Sequence, residues 1–578
     1  MSLTWGDVQK WSPAALDTAE TELKTARTTL TDLADELETM GTPSTWSGPA
    51  SRSATTKLGE VSQDLKDLVA EVSAAYKAVA DAADGVRGVQ SAVATAVRFA
   101  EVRGLTIASD GTVTGTLPPV CYVSEHAEEL AKQELKSDVE EGAARVSEAL
   151  RKAADVDADL GAVLTSIRFN RIVAGTGSLL DAARLGEVKG DLSLLEPPKG
   201  GTPAQNAAWW ATLSPDERAE IIKNHPEWIG NLDGVDFASR DEANRNLLAS
   251  HKSTLEARRA EINRLLTTGT FTSPYDPTYL ALVQELGDIQ GDLEAIKTVE
   301  ELAALPNRHI VLLDLTTPRP QAAVAIGDLD TADHVAVFTP GLTSTVPGMG
   351  GYDSDLAQLK FRTEEQMAQA GQPGTVATVV WLGYQAPQLS PGSLFSGNSV
   401  GLSGAAEDGG RSLAGFLTGI NTSRLTDPDL TAIGHSYGST TTGYALQQPG
   451  TGVDRAVFFG SPGLGTSDID DLQIPSGSSY YLEAKWDGVG DLGRFGTDPT
   501  ALQGMNQLNT SAATVGGTTY SEVTGHTSYL TDQSTSQYNM AQVIRDAPQE
   551  AVAGANVGWA SDPLSAQEWI PEWLRKHL

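Results

Sequence analysis

No stretch constrains this chain more than Leu430-Thr-Ala-Ile-Gly434-His-Ser436-Tyr-Gly438-Ser-Thr440. A short apolar run meets a run of small residues, with Gly-x-Ser-x-Gly between them. That is the pattern of a strand turning sharply into a helix. Such a turn forces its middle residue into a strained conformation and lifts the side chain above the sheet. The residues two before and two after are crowded, so both want to be glycine. The amide of Tyr437 then opens a helix, where N–H groups face any negative charge that develops nearby. In a chain with 57 glycines the pattern also arises by accident. Its surroundings decide.

Those surroundings alternate between strands and helices. Apolar runs stand at His309–Leu315, Ala322–Ile326, His334–Phe338 and Thr375–Leu382 before the serine, and at Arg455–Phe459 and Ser479–Ala484 after it. Uninterrupted apolar runs of this length predict strands buried on both faces of a mostly parallel sheet. Helices fit at Asp353–Ala370, Asp408–Leu417 and Ser439–Gln447. Ser436 then sits at the carboxyl end of its strand, where open α/β sheets place their chemistry.

A nucleophile elbow on such a sheet implies an α/β-hydrolase, whose serine, acid and histidine follow in that chain order. After the strand ending near Lys485, the loop Trp486-Asp487-Gly-Val-Gly-Asp491 offers two acids; Asp487 comes first and Asp491 is the alternative. Beyond them stand His526, in Val523-Thr-Gly-His-Thr-Ser-Tyr529, and the penultimate His577. His526 is the expected general base for Ser436, with Asp487 fixing its tautomer. The oxyanion hole would combine the Tyr437 amide with one from Phe338-Thr-Pro340-Gly341-Leu342-Thr343-Ser344. Pro340 has no N–H, so Leu342 or Thr343 is expected to donate, with Gly341 permitting close approach. His435 is assigned no catalytic role. The Gly- and Ser-rich stretch between Pro387 and Arg411 reads as a small lid or pocket wall. No Cys, His and Asp cluster has ligand spacing, so neither metal nor organic cofactor is expected.

The far end of the chain is helical. Apolar residues recur three and four apart from Leu16 to Met40 and again from Leu58 to Val93, which predicts a long antiparallel hairpin. Its loop carries Trp46-Ser-Gly48. A W-x-G between two such helices is similar to the small hairpin substrates of type VII secretion. Trp46 would plug the open end of the hairpin. The acidic residue those substrates carry four after a tyrosine is missing, because Tyr76 is followed there by Ala80, with Asp81 one further on. Next come a small β-hairpin turning on Asp110-Gly111, helices at Glu125–Leu164 and Ser166–Arg184, and a linker at Glu196–Pro203.

Past the linker run Trp209-Trp210-Ala-Thr-Leu-Ser-Pro, Trp228-Ile-Gly-Asn-Leu-Asp233-Gly and Arg240-Asp241-Glu-Ala-Asn244-Arg245, then helices over Lys252–Lys297 broken near Thr267–Pro277. Together with the elbow, this block resembles an uncharacterised actinobacterial α/β-hydrolase family over roughly Gln205–Arg545. The resemblance implies the fold, a serine mechanism and Asp487, in its Asp-x-Val segment, as the acid. It implies no substrate. Arg240, Asp241 and Asn244 are expected to brace loops rather than catalyse. The expected domains are a hairpin over 1–103, a small β-hairpin with helices over 104–195, a helical segment over 205–300, a catalytic domain over 301–550 and a tail over 551–578.

The net charge of −34 argues against nucleic acid and anionic membranes as partners. No apolar run reaches membrane-spanning length and no classical signal peptide opens the chain. Location is therefore cytoplasm or export by a signal-peptide-independent, type VII route. The expected function is hydrolysis of a small-molecule or lipid ester. The alternatives are a secreted effector whose hairpin meets secretion machinery or a helical partner, and a binding protein that keeps only the fold.

Overall fold

The computed structural model describes residues 3–39, 45–175, 177–269, 271, 273–388, 403–489 and 495–554. Asp491, His577, the hairpin tip 40–44 and most of the expected lid, 389–402, lie outside the described residues. The chain divides into two compact units. The first comprises Met1–Thr116, Asp138–Gly201 and Ala208–Ala219; the second comprises Leu117–Ser137, Thr202–Ala207 and Glu220–Leu578.

The first unit is built on helices α1 (Trp5–Val8), α2 (Ala14–Thr39) and α3 (Pro49–Val102). Helices α2 and α3 run antiparallel, as Arg87 pairs with Asp17 and Arg27 stacks over Tyr76. Strands β1 (Thr106–Ile107) and β2 (Val113–Thr114) form the small hairpin on Asp110-Gly111. Helix α4 (Glu125–Arg168) is followed by α5 (Leu179–Gly190). The helix expected at Ser166–Arg184 is thus divided. Asn170 adopts a left-handed φ of 50°, which ends α4, and Ser178 with Asp181 forms a capping box that starts α5. Gly186 and Gly190, one turn apart on α5, lie against the carbonyls of Ala70 and Ala74 on α3, where any Cβ would overlap the backbone. Trp46 does not plug the hairpin: it is 47% exposed, and its carbonyl accepts from the Ser51 hydroxyl.

Like α4, whose residues 125–137 belong to the second unit, helices α6 (Pro203–Ala211) and α7 (Pro215–Asn224) cross the division between units. The second unit continues with α8 (Phe237–Thr268) and α9 (Pro277–Ala303), then strands β3 (Arg308–Asp314), β4 (Gln321–Ile326) and β5 (His334–Thr339). After these come α10 (Met349–Ala370), β6 (Val376–Leu382), α11 (Gly404–Thr422), β7 (Asp429–His435) and α12 (Tyr437–Leu446). The unit closes with β8 (Arg455–Phe459), β9 (Ser479–Leu482), β10 (Asn506–Leu508), the hairpin β11 (Ala513–Val515) and β12 (Thr518–Tyr520), and α13 (Thr535–Ile544).

Among the described residues the main sheet has eight strands in the order β10-β9-β8-β7-β5-β6-β4-β3. All neighbours are parallel except β4, which opposes both β6 and β3. The strand order reverses at β5, whose neighbours are β6 and β7. Right-handed crossovers then put α10 on one face of the sheet and α11 with α12 on the other. They also open a crevice beyond the carboxyl ends of β5 and β7. This is the α/β-hydrolase architecture expected from the strand pattern, preceded by a mostly helical region.

The block around Arg240 has a defined task. Strand β3 lies at the edge of the sheet, so its outer N–H and C=O groups lack a neighbouring strand. Side chains stand in for one. Asn231 exchanges two hydrogen bonds with Leu313, of 2.7 and 2.8 Å. Asp241 accepts from the Ile310 amide at 2.7 Å and Asn244 donates to the Ile310 carbonyl at 3.0 Å. The buried Arg240 holds the Gly230 carbonyl and the Asp233 carboxylate in place. The expected brace is therefore an edge clamp.

Candidate active site

The elbow forms where β7 meets α12. Ser436 has φ 54° and ψ −132°, a conformation that costs about 1–3 kcal/mol for a residue with a Cβ. The surroundings hold it there. Its amide donates to the Phe459 carbonyl of β8 at 3.1 Å, and its carbonyl accepts from the Ser439 hydroxyl at 2.5 Å. Both flanking glycines are required by space. A Cβ on Gly434 would come within 2.5 Å of Ser439 Cα, and one on Gly438 would overlap the Thr339 carbonyl.

The histidine and the acid arrive from two loops tied to one another. Lys485 and Thr524 form a parallel bridge, and the Gly525 amide donates to the Lys485 carbonyl at 2.8 Å. This brings His526 between Ser436 and Asp487. His526 Nε2 lies 2.8 Å from Ser436 Oγ, while Nδ1 lies 2.9 and 3.0 Å from the two Asp487 oxygens. A carboxylate only accepts, so Nδ1 carries the proton and Nε2 is left to accept from the serine. Asp487 is buried and has two further donors, the Tyr529 hydroxyl at 2.6 Å and the Val489 amide at 3.0 Å. Burial works against its charge, but His526, Tyr529 and Val489 together hold the carboxyl below its ordinary value. Asp487 is thus an anion facing the imidazole.

Gly341, in the loop after β5, would place a Cβ 2.6 Å from Ser436 Cβ, so the loop passes directly over Ser436. Here one expectation changes. The Thr343 amide donates to the Pro387 carbonyl at 3.0 Å, and Thr343 has a left-handed φ of 61°. An N–H held by a carbonyl is not available to an oxyanion, so Thr343 leaves the expected set. The Leu342 amide makes no such bond among the described residues. Tyr437 is the first residue of α12. Tyr384 fixes the loop by donating from its hydroxyl to the Pro340 carbonyl at 2.7 Å.

Two residues of the site, Gly460 and Tyr529, went unread in the sequence. Gly460, with φ 55°, ends β8 beside the histidine; a Cβ there would lie 2.7 Å from Asp487 Oδ2 and 3.0 Å from His526 Nδ1. Its signal was a glycine closing the strand after the elbow. Tyr529, three residues beyond His526, also accepts from the Ala484 amide at 2.8 Å and so joins both loops. His435 points its Nε2 at the His526 carbonyl, 2.8 Å away. Burial, with the neighbouring His526, lowers its pKa to about 3. It is a neutral ring that props the backbone of His526.

Residues 317–497 match the model of a family described as alpha/beta hydrolase. An uncharacterised protein of Mycobacterium tuberculosis, Rv0963c, is 32% identical over 239 residues, covering 40% of this chain and 86% of its own length. The chain belongs to the α/β-hydrolase family. The chain is also 28% identical over 334 residues to an uncharacterised protein, Rv2079, of Mycobacterium tuberculosis, covering 55% of this chain and 47% of that protein. It therefore spans about half the length of that relative. No solved structure matches the chain.

Proposed function

We propose that the hydrolase cleaves carboxylic esters through an acyl-enzyme formed on Ser436. The observation that carries this reading is the unbroken hydrogen-bonded line from Ser436 Oγ through His526 to the buried Asp487. Ser436 attacks the carbonyl as His526 Nε2 takes its proton. Asp487 stabilises the imidazolium and keeps its orientation. The Tyr437 and Leu342 amides receive the oxyanion. His526 returns the proton to the leaving alcohol, and a water deprotonated by His526 then releases the acid. Esters are preferred to amides because no sequence feature points to a peptidase pocket.

Hydrolysis of p-nitrophenyl esters over a series of acyl lengths tests the reading. Turnover by the wild type that disappears in Ser436→Ala supports it; equal turnover by both proteins rejects it. A second reading, export of the hydrolase as an effector, draws on the antiparallel α2–α3 hairpin and the half-exposed Trp46. Appearance in culture supernatant only when type VII secretion is intact would support it; equal appearance without that system would reject it.

A further inference from the structure

Two arginines of the second unit are half-buried and pinned to backbone carbonyls. Arg424, just before β7, donates to the carbonyls of Leu329, Ala332 and Thr426 at 2.7–3.0 Å. The charges of Asp330, Asp427, Asp333 and Asp328 surround it. Arg319 lies in the turn between β3 and β4. Its Nη2 donates to the Ala386 carbonyl at 3.0 Å, and its own carbonyl accepts from Gln385 Nε2 at 2.9 Å. Among the described residues no carboxylate pairs with it, and burial alone moves its guanidinium below the ordinary value. The nearest acid in sequence, Asp314, accepts instead from the amide and hydroxyl of Thr316. The adjoining stretch from Gly383 to Ala406 contains no Asp or Glu at all. In a chain with 75 acidic and 41 basic residues, a half-buried arginine with no carboxylate partner among the described residues is out of character.

Its position gives the vacancy a use. Strand β4 opposes β6, so the β3–β4 turn lies at the carboxyl ends of the parallel strands, the end that carries Ser436. Ala386, which Arg319 holds, precedes Pro387, whose carbonyl takes the Thr343 amide next to Leu342. Two residues and two hydrogen bonds thus connect the guanidinium to the loop over Ser436, a span of about 10–15 Å from ordinary backbone dimensions. One donor is fixed on Ala386, and the remaining guanidinium N–H groups keep the fork geometry that matches an oxyanion.

We propose that Arg319 is an anion subsite of the hydrolase, binding a carboxylate or phosphate group carried by the ester substrate away from the scissile carbonyl. The proposal rests on the esterase reading for its substrate, though not for the binding of the anion. Its test compares wild type, Arg319→Gln and Arg319→Lys on p-nitrophenyl butyrate and on the p-nitrophenyl monoester of glutarate. The ratio of kcat/KM for the anionic over the neutral ester should fall about tenfold in Arg319→Gln, through KM, and recover in part in Arg319→Lys; the preference should shrink as salt rises. An unchanged ratio in Arg319→Gln overturns the proposal. Fluorophosphonate labelling of Ser436 in each variant shows that the fold and the serine are intact, and failure of the wild type to label would sink the esterase reading separately. Calorimetric titration with glutarate and with inorganic phosphate needs no turnover. Binding of one of them at least fivefold weaker to Arg319→Gln identifies the oxyanion, and equal or absent binding of both overturns the subsite.

Discussion

The sheet carries His–Asp pairs at both ends, and among the described residues only the pair at the carboxyl ends faces a serine. At the carboxyl ends of the strands, His526 Nδ1 lies 2.9 Å from Asp487 and its Nε2 lies 2.8 Å from Ser436. At the amino ends, His334 Nδ1 lies 3.0 Å from Asp429. The distances hardly differ, so a histidine beside an aspartate is not by itself a catalytic sign. Two things separate the pairs. Asp429 also pairs with Arg455, which neutralises it, whereas the further donors of Asp487 are a neutral hydroxyl and an amide. And no hydroxyl is bound to the other nitrogen of His334 among the described residues. An acid already neutralised by arginine has little charge left to stabilise an imidazolium. The same two residue types thus build a brace at one end and, on our reading, a proton relay at the other.

The largest effect expected is loss of turnover in Ser436→Ala or His526→Ala, each by about a million-fold in kcat, with the double variant no worse because the residues act as a unit. Additive losses in ester hydrolysis would break the relay. Next, Asp487→Asn should lower kcat by about 10⁴-fold through the wrong tautomer of His526. Asp429→Asn should leave kcat within about threefold and instead cost roughly 1–3 kcal/mol of stability in urea titration, the range for stranding a partly buried charge partner. If the two substitutions lower kcat alike, the distinction between the ends fails.

Tyr529→Phe should reduce kcat about tenfold, since it removes one donor to Asp487 but keeps the ring. Asp487 then loses a group that holds its carboxyl down, so activity should fail at a higher pH on the acid side. A pH–rate profile unchanged in its acid limb would count against this. The smallest effect concerns stability alone. Burial raises Asp454, at the amino end of β8, to about 6. A carboxyl raised in the folded state favours the protonated form, so its contribution is lost as pH climbs from about 4 to 6. Asp454→Asn keeps an oxygen for the Leu430 amide and should add roughly 1–3 kcal/mol near pH 7, flattening that slope in thermal melts. Asp487 has the opposite sign: its depressed carboxyl stabilises the fold above the unfolded value, and that stability is lost on acidification.

The elbow was legible in sequence because its demands are local: two glycines two residues either side of the serine, a strand before and a helix after. Chain order pointed to Asp487, and elimination pointed to His526. What stayed hidden depends on strands that are neighbours in space. Gly460 matters because β8 lies beside β7, and Tyr529 because its hydroxyl reaches back to the loop after β9. Thr343 was a reasonable oxyanion donor until its amide met Pro387, 44 positions away in the chain. Arg240, Asp241 and Asn244 read as loop braces because nothing in their spacing reveals that β3 is an edge.

The central claim is that the carboxyl-end pair activates Ser436 and the amino-end pair does nothing chemical. Mapping fluorophosphonate labelling by mass spectrometry in wild type, His526→Ala and His334→Ala tests it most directly. The account predicts a single adduct on Ser436, formed at similar rates in wild type and His334→Ala and slowed by at least a thousandfold in His526→Ala. An adduct on another residue, or equal labelling of all three proteins, would contradict it.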